Sequence, residues 1–296
     1  MAENLALKEN SLLAQAVKLE NKKKLPASKK VQNPKSTERL YYQLINKLIR
    51  RAQDLFKQMV VPVGKDNPLT VDAKTKAQER MNSILNAIAR WKKRVSEEVF
   101  TEKAIEEAVS QVAEDVNMRN TTQVKKSYDR ITPIDLTGLI TSGGIQKKQF
   151  IAENVDLITK VSQEIKTDVQ RIVGERIPAG ARWESIVGEV EKGLDGNAGV
   201  FKKLRTRAKL IARDQTNKLN GELTRARHEE IGFRLYRWST AGDSRVRAEH
   251  QALDGEIFSW EGTVKINGKT FKPAPDGIIP GSEINCRCVA EPVYEV

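Results

Sequence analysis

At 296 residues with 39% hydrophobic content, the chain can bury a substantial core, which excludes a wholly disordered protein and suggests two globular units or one with long appendages. An aromatic content of 5%, a charged content of 30% and a mean hydropathy of −0.52 describe a hydrophilic chain, so solvated helices standing away from a core and an elongated molecule are expected. The 51 Lys plus Arg against 39 Asp plus Glu give a formal charge of +12, which favours contact with a polyanion, nucleic acid first, while being equally compatible with a basic protein that binds nothing anionic.

The first ten residues carry acids and a lysine instead of a basic patch followed by an apolar run, so they do not read as a signal peptide. From Lys18 to Lys35 there are seven lysines and one acid, with Pro26 and Pro34 interrupting any helix. This predicts a flexible basic arm over residues 1–35, after a short helix at Ser11 to Leu19. It is either a solvated linker or a tail lying on DNA through Lys22, Lys23, Lys24, Lys29 and Lys30, and without interleaved aromatics it is not a reader of bases.

A capping residue at Ser36 or Thr37 precedes a strong helical stripe, Tyr41, Leu44, Ile45, Leu48, Ala52, Leu55, Phe56 and Met59, which Pro62 and the Gly64 to Pro68 segment end. A second helix is predicted from about Val71, with Met81, Ile84, Leu85, Ile88, Trp91 and Val95 on one stripe. A third begins near Thr101, where a cap and an early acid precede Ile105, Ala108, Val109, Val112 and Val116. These three helices are expected to pack together. The apolar run around Met59 to Val63 is far too short to span a bilayer.

The pattern weakens between Asn120 and Gly144, and the next helix is predicted from about Ile145 to Gly174, on the stripe Phe150, Asn154, Leu157, Ile158, Val161, Ile165, Val169 and Ile172. The polar Asn154 reads as a residue at the edge of the stripe. A short amphipathic helix over Trp183 to Leu194 and an Asp195-Gly196-Asn197 turn lead to a long helix, Arg205 to Ile231, closed by Gly232. The run from Lys202 to Arg227 holds nine basic residues and two acids, Asp214 and Glu222, and offers a second basic surface through Lys202, Lys203, Arg205, Arg207 and Lys209. Beyond it the texture changes. Leu235 to Ser239 reads as a strand and Thr263 to Phe271 as a hairpin with a type I′ Asn267-Gly268 turn, so the last sixty or so residues should form a small β-rich cap.

The only cysteines, Cys286 and Cys288, lie too close along the chain to staple a long loop, which suits a reducing compartment. They belong to a cluster of reactive types near the C-terminus: Asp243, Arg245, Arg247, His250, Asp254 and Gly255, then Asn285, Cys286, Arg287 and Cys288. Three readings compete. His250, Cys286 and Cys288 are soft donors suited to a structural zinc, one ligand short unless Asp243, Asp254 or His228 supplies the fourth. His250 with Cys286 is a nucleophile and base pair if the fold brings them together, yet no Gly-rich oxyanion segment flanks either cysteine. The favoured reading is a polar knot in which Asp243, Arg247, His250 and Arg287 tie the loop after the first strand to the terminal strand. No Walker A pattern or dinucleotide-binding turn occurs, so neither a packaging motor nor a cofactor-dependent enzyme is indicated.

The ordered series Ala208-x-x-x-Ala212-Arg213-Asp214-Gln215-Thr216-Asn217, Gly232, Trp238, Asp243-Ser-Arg-Val-Arg-x-x-His250-x-x-Leu253-Asp-Gly255, Pro280 and Asn285-Cys-Arg-Cys288 resembles the Mu F-like head morphogenesis, or minor capsid, family of phage proteins. The resemblance covers about a third of the chain, from Leu204 to Pro292. It implies a virion protein of tailed phages, present inside the head in few copies, assembled in the host cytoplasm and associated with the portal. Its implied partners are portal protein, capsid or scaffolding subunits and double-stranded DNA, with no membrane. Several relatives carry an extra cysteine pair in the loop held here by Asp243 to Glu249, where this chain has Ser244, Arg245 and Arg247.

The combined expectation is a predominantly α, α+β protein: a basic arm over 1–35, an elongated helical region over 36–200 and a Mu F-like cap over 201–296. It is expected to act in head morphogenesis and in DNA packaging, retention or ejection through sequence-independent contact. A structural portal or capsid plug without a DNA role is the first alternative, and a His-dependent nuclease or transferase-like enzyme the second. No catalysis and no cofactor are expected, structural zinc at His250, Cys286 and Cys288 being the one open exception.

Overall fold

The computed structural model describes residues 33–66, 74–129, 138, 140, 143–194 and 196–293. The short helix expected at Ser11 to Leu19 and the arm lysines Lys22, Lys23, Lys24, Lys29 and Lys30 lie outside these residues. Helices dominate: α1 (Lys35–Met59), α2 (Val61–Asp66), α3 (Lys74–Arg94), α4 (Glu102–Tyr128), α5 (Gly144–Arg176), α6 (Trp183–Glu191) and α7 (Val200–Ile231). A small β cap follows, built from β1 (Leu235–Ser239), the short helix α8 (Ala248–Ala252), β2 (Ile257–Ser259), β3 (Val264–Ile266), β4 (Lys269–Phe271) and β5 (Val289–Val293). The fold is thus predominantly α with a small antiparallel β portion at the C-terminus. Among the described residues no helix is long and apolar enough to cross a membrane.

The chain divides into two compact units, and the division falls inside α1, α4, α5 and α7. One unit comprises Glu38–Gln111 with Ile151–Ala212. Its core is built on Tyr41, Ile45, Ile49, Ala52 and Phe56 of α1, all fully buried and spaced by three and four residues as one helical face requires. Phe56 meets Trp91 edge-on, with ring centroids 5.7 Å apart, and the Trp91 indole donates to the Ala52 carbonyl at 3.0 Å, so the largest side chain of the core leaves no polar atom unpaired. Asn154 is fully buried and accepts a hydrogen bond from the Tyr41 hydroxyl at 2.8 Å. The expected edge position is corrected: a polar side chain on an apolar stripe can be interior when the facing helix supplies a donor. α1 ends at Met59, just ahead of Pro62 as expected, but Pro62 itself opens a further helical turn. It lies in the first turn of α2, where its missing N–H costs nothing, and the indole of Trp183 packs on Gly64 two residues later.

The other unit comprises Val112–Phe150 and Arg213 onward, together with the described residues before Glu38. Here α4 does not stop near Asn120 as the weakening pattern suggested; it continues to Tyr128. The reason is a buried face that alternates polar and apolar types, Val116, Asn120, Val124 and Tyr128. Asn120 donates to Asn220 and Thr224 of α7, and the Arg227 guanidinium donates to Asn120 and, at 2.6 Å, to Asn117. Arg227 is 1% exposed, so the last member of the basic run on α7 serves this interior seam and not the surface.

α7 closes at Gly232, whose φ of 95° lets the Phe233 N–H return to the His228 carbonyl at 2.8 Å. The chain then enters β1, the centre of an antiparallel sheet ordered β2-β1-β5. The register pairs Tyr236 with Phe258 on one side and with Pro292 on the other, and the proline is accommodated because β5 is an edge strand. Alternation along β1 places Tyr236 and Trp238 on one buried face, while Arg237 points outward. The expected hairpin is present as β3 and β4, with Asn267 and Gly268 both at positive φ, 47° and 76°, as a type I′ turn demands.

Candidate functional site: a histidine and cysteine pocket in the β cap

The buried face of β1 packs on Trp260, Ala274, Cys286, Cys288 and Ala290, which form one apolar cluster. Onto it α8 delivers His250, 3% exposed, whose ring meets Trp238 edge-on at 5.3 Å. The cysteines come from the irregular segment just before β5, not from the strand itself as the sequence suggested. Nδ1 of His250 lies 3.5 Å from each cysteine sulfur. On the other edge of the ring, Nε2 lies 2.7 Å from a Glu283 carboxylate oxygen.

A shell of ion pairs surrounds this arrangement. Arg287 places both terminal nitrogens on the two oxygens of Asp243, at 2.7 and 2.5 Å. Arg245 adds a further contact to Asp243 at 2.8 Å, and its backbone N–H closes a local turn on the same carboxylate. The two guanidiniums, Arg287 first, hold the Asp243 carboxyl well below the usual carboxylate range. Arg247 donates to Glu283 at 2.7 Å and to the Ile284 carbonyl at 2.6 Å. Two salt links, Asp243–Arg287 and Arg247–Glu283, therefore join the loop after β1 to the cysteine segment. Asp254 accepts from the Thr240 N–H at 2.7 Å, and Gly255, at φ 83°, returns its N–H to the Trp238 carbonyl; both shape the loop and neither reaches the sulfurs.

Helix α7 holds the cysteine segment from below. Asn217 donates to the Cys286 carbonyl at 3.0 Å, and Asp214 accepts from the Asn285 N–H at 2.9 Å, fixing Asn285 at a positive φ of 60°. Gly221 faces the Pro280 carbonyl so closely that a Cβ there would fall 2.5 Å from the oxygen. Asp214, Asn217 and Gly221 share one face of α7 by their spacing, and that face is the seat of the loop. The thiols of Cys286 and Cys288 differ because they share a hydrogen bond. That bond, first among the causes, lowers the pKa of Cys286 and raises that of Cys288, so the pair gives up its first proton from Cys286.

Of the residues singled out from sequence, His250, Cys286 and Cys288 converge, Arg245, Arg247, Asn285 and Arg287 line a pocket with them, and Asp243 pairs with Arg287 beside it. His228, weighed as a fourth ligand, lies elsewhere, fully buried among the rings of Tyr128, Phe233 and Trp260. Glu283 was missed: it sits in a loop with no periodicity, and nothing in its neighbours announces a partner 33 positions away. Asp214 and Asn217 stood out in the sequence as members of the motif series on the long helix, with no structural role assigned to them. The α7 cations lie in the other unit. There Lys203 pairs with Asp168 at 3.4 Å, Arg205 donates to Gln53 at 2.9 Å, Arg207 pairs with Glu164, and Lys209 lies 5.4 Å from the centre of the Tyr42 ring; Lys202 is exposed.

Fold and site together define a helix-rich protein closed by a β cap in which a histidine loop is tied to a Cys-x-Cys segment. Residues 163–291 match the family model described as Phage Mu protein F like protein, so this part of the chain is similar to that phage family. It is also similar to an uncharacterized protein of Haemophilus influenzae, 33% identical over 180 residues, which cover 60% of this chain and 36% of that protein. The chain thus spans about a third of the length of the curated relative it matches. No solved structure matches.

Proposed function

We propose that the protein is a minor head protein of a tailed phage, carried inside the head, associated with the portal, and acting in head morphogenesis and in DNA packaging, retention or ejection. The observation that carries this reading is the Mu F-like match over residues 163–291, which takes in both loops of the cap and the helix that seats them. The portal vertex, capsid or scaffolding subunits and double-stranded DNA are the partners of this reading. DNA contact is sequence-independent, because the basic stretches lack the aromatic interleaving of single-strand or base readers.

The role is not catalytic in this reading. His250 is buried, with Nε2 on Glu283 and Nδ1 against two sulfurs, an arrangement suited to holding a loop in place and not to shuttling protons with a substrate. A second reading, a structural plug without DNA contact, draws support from the α7 cations: Lys203 and Arg207 are matched by acids of the protein itself. Co-purification of the full chain with the portal subunit tests the head role, and a gel-shift titration on plasmid fragments separates the two readings. DNA association that weakens steeply with added salt supports the first; no association at low ionic strength leaves the plug.

A further inference from the structure

Three soft donors from two separate segments meet in the cap: Nδ1 of His250 and the sulfurs of Cys286 and Cys288, all within 4.8 Å of one another and all buried. Zinc binds thiolate at about 2.3 Å and imidazole at about 2.0–2.1 Å, and tetrahedral angles then set the nitrogen-to-sulfur edge at about 3.5 Å. Both nitrogen-to-sulfur distances in the cap are 3.5 Å. Two edges of this triangle therefore already have the length that a shared zinc ion would give them.

The protonation pattern agrees. Glu283 accepts at Nε2, so the tautomer it selects keeps the proton there and leaves the Nδ1 lone pair directed at the sulfurs. A carboxylate behind a ligating imidazole is the arrangement that orients metal-bound histidines in general and raises their donor strength. Charge agrees as well. Arg245 and Arg287 share Asp243 and Arg247 pairs with Glu283, which leaves the shell one positive charge in excess, and two thiolates with a divalent cation add a neutral unit to it. The polar knot and the metal-site readings of the sequence are therefore compatible: the salt links hold together the two segments that carry the donors.

We propose that His250, Cys286 and Cys288 bind one Zn²⁺ ion through Nδ1 and the two thiolates, with a water molecule completing the tetrahedron on the pocket side. Binding releases the two thiol protons to solvent. Three protein ligands with a fourth position toward the pocket make an open site, and the neighbours of that position are Arg245, Arg247 and Asn285. This inference is independent of the role in the head.

The test uses the full chain, stripped with a chelator under reducing conditions and titrated with Zn²⁺ against a chromophoric competitor, then with Co²⁺ as a spectroscopic substitute. The expected result is one Zn²⁺ per chain, no competition from Mg²⁺, and for Co²⁺ tetrahedral bands with thiolate charge transfer. Glu283→Gln should keep the stoichiometry and weaken the affinity roughly 10–100-fold. His250→Ala and Cys286→Ser should abolish stoichiometric uptake. Should these variants fail to fold, protection of both thiols from alkylation by Zn²⁺ in the unaltered chain gives the same answer. Absence of uptake by the unaltered chain, a cobalt spectrum lacking thiolate charge transfer, or uptake that survives Cys286→Ser overturns the proposal.

Discussion

Burial and close approach decide what individual residues do in this protein, and two of them give opposite-looking predictions from the same logic. Gly221 lies in the middle of α7, where alanine is ordinarily preferred by about 1 kcal/mol. A methyl group there meets the backbone carbonyl of Pro280, which no side-chain rotation can move aside. Gly221→Ala should therefore lower stability by about 1–3 kcal/mol, against its helix propensity, and thermal unfolding would reveal it. His228 is governed by desolvation, which pushes its pKa down to about 3 from the ordinary 6.5. The unfolded chain takes up a proton below about pH 6.5 while the folded one does not, so the sign is fixed: native stability falls as pH drops from 6.5 toward 4, at up to about 1.4 kcal/mol per pH unit from this group. Denaturant melts at stepped pH, compared with His228→Phe, should show a difference between the two proteins that is constant above pH 7 and shifts steadily in favour of His228→Phe in acid.

At the scale of elements, the buried seam between α4 and α7 shows how polar groups specify a helix pairing. Arg227 reaches Asn117 and Asn120, while Asn120 in turn reaches Asn220 and Thr224. Replacing Arg227 with Met keeps the volume but strands two asparagine oxygens, and a loss of about 2–3 kcal/mol in chemical denaturation is expected. Apolar periodicity read from sequence located α1, α3, the first part of α4 and α5 because their stripes are carried mainly by Ile, Leu, Val and aromatic residues. It failed at Asn120 and Asn154 for one reason: both are interior asparagines whose partners lie 100 and 113 positions away, a fact that no local window contains. In the cap, β1 and the β3–β4 hairpin were legible from alternation and from Asn267-Gly268, whereas β2 is only three residues long and carries no period. The convergence of the two loops was foreseen through Asp243, Arg287 and His250. Glu283, the carboxylate that orients the histidine, was not, since a lone acid in a loop looks like any solvated one.

Across the whole molecule, the function proposed rests on the Mu F-like match, which extends from residue 163 in α5 to residue 291 within β5. The proposed role is that of a component of a particle, so its location tests the proposal most directly. Phage particles released from a host carrying the gene, treated with protease to remove anything adhering outside and then opened, can be analysed by mass spectrometry. Peptides of this chain recovered in small but fixed proportion to the major capsid subunit, and equally from treated and untreated particles, are what the account predicts. Their absence from the particles, or their loss on protease treatment of intact heads, would contradict it.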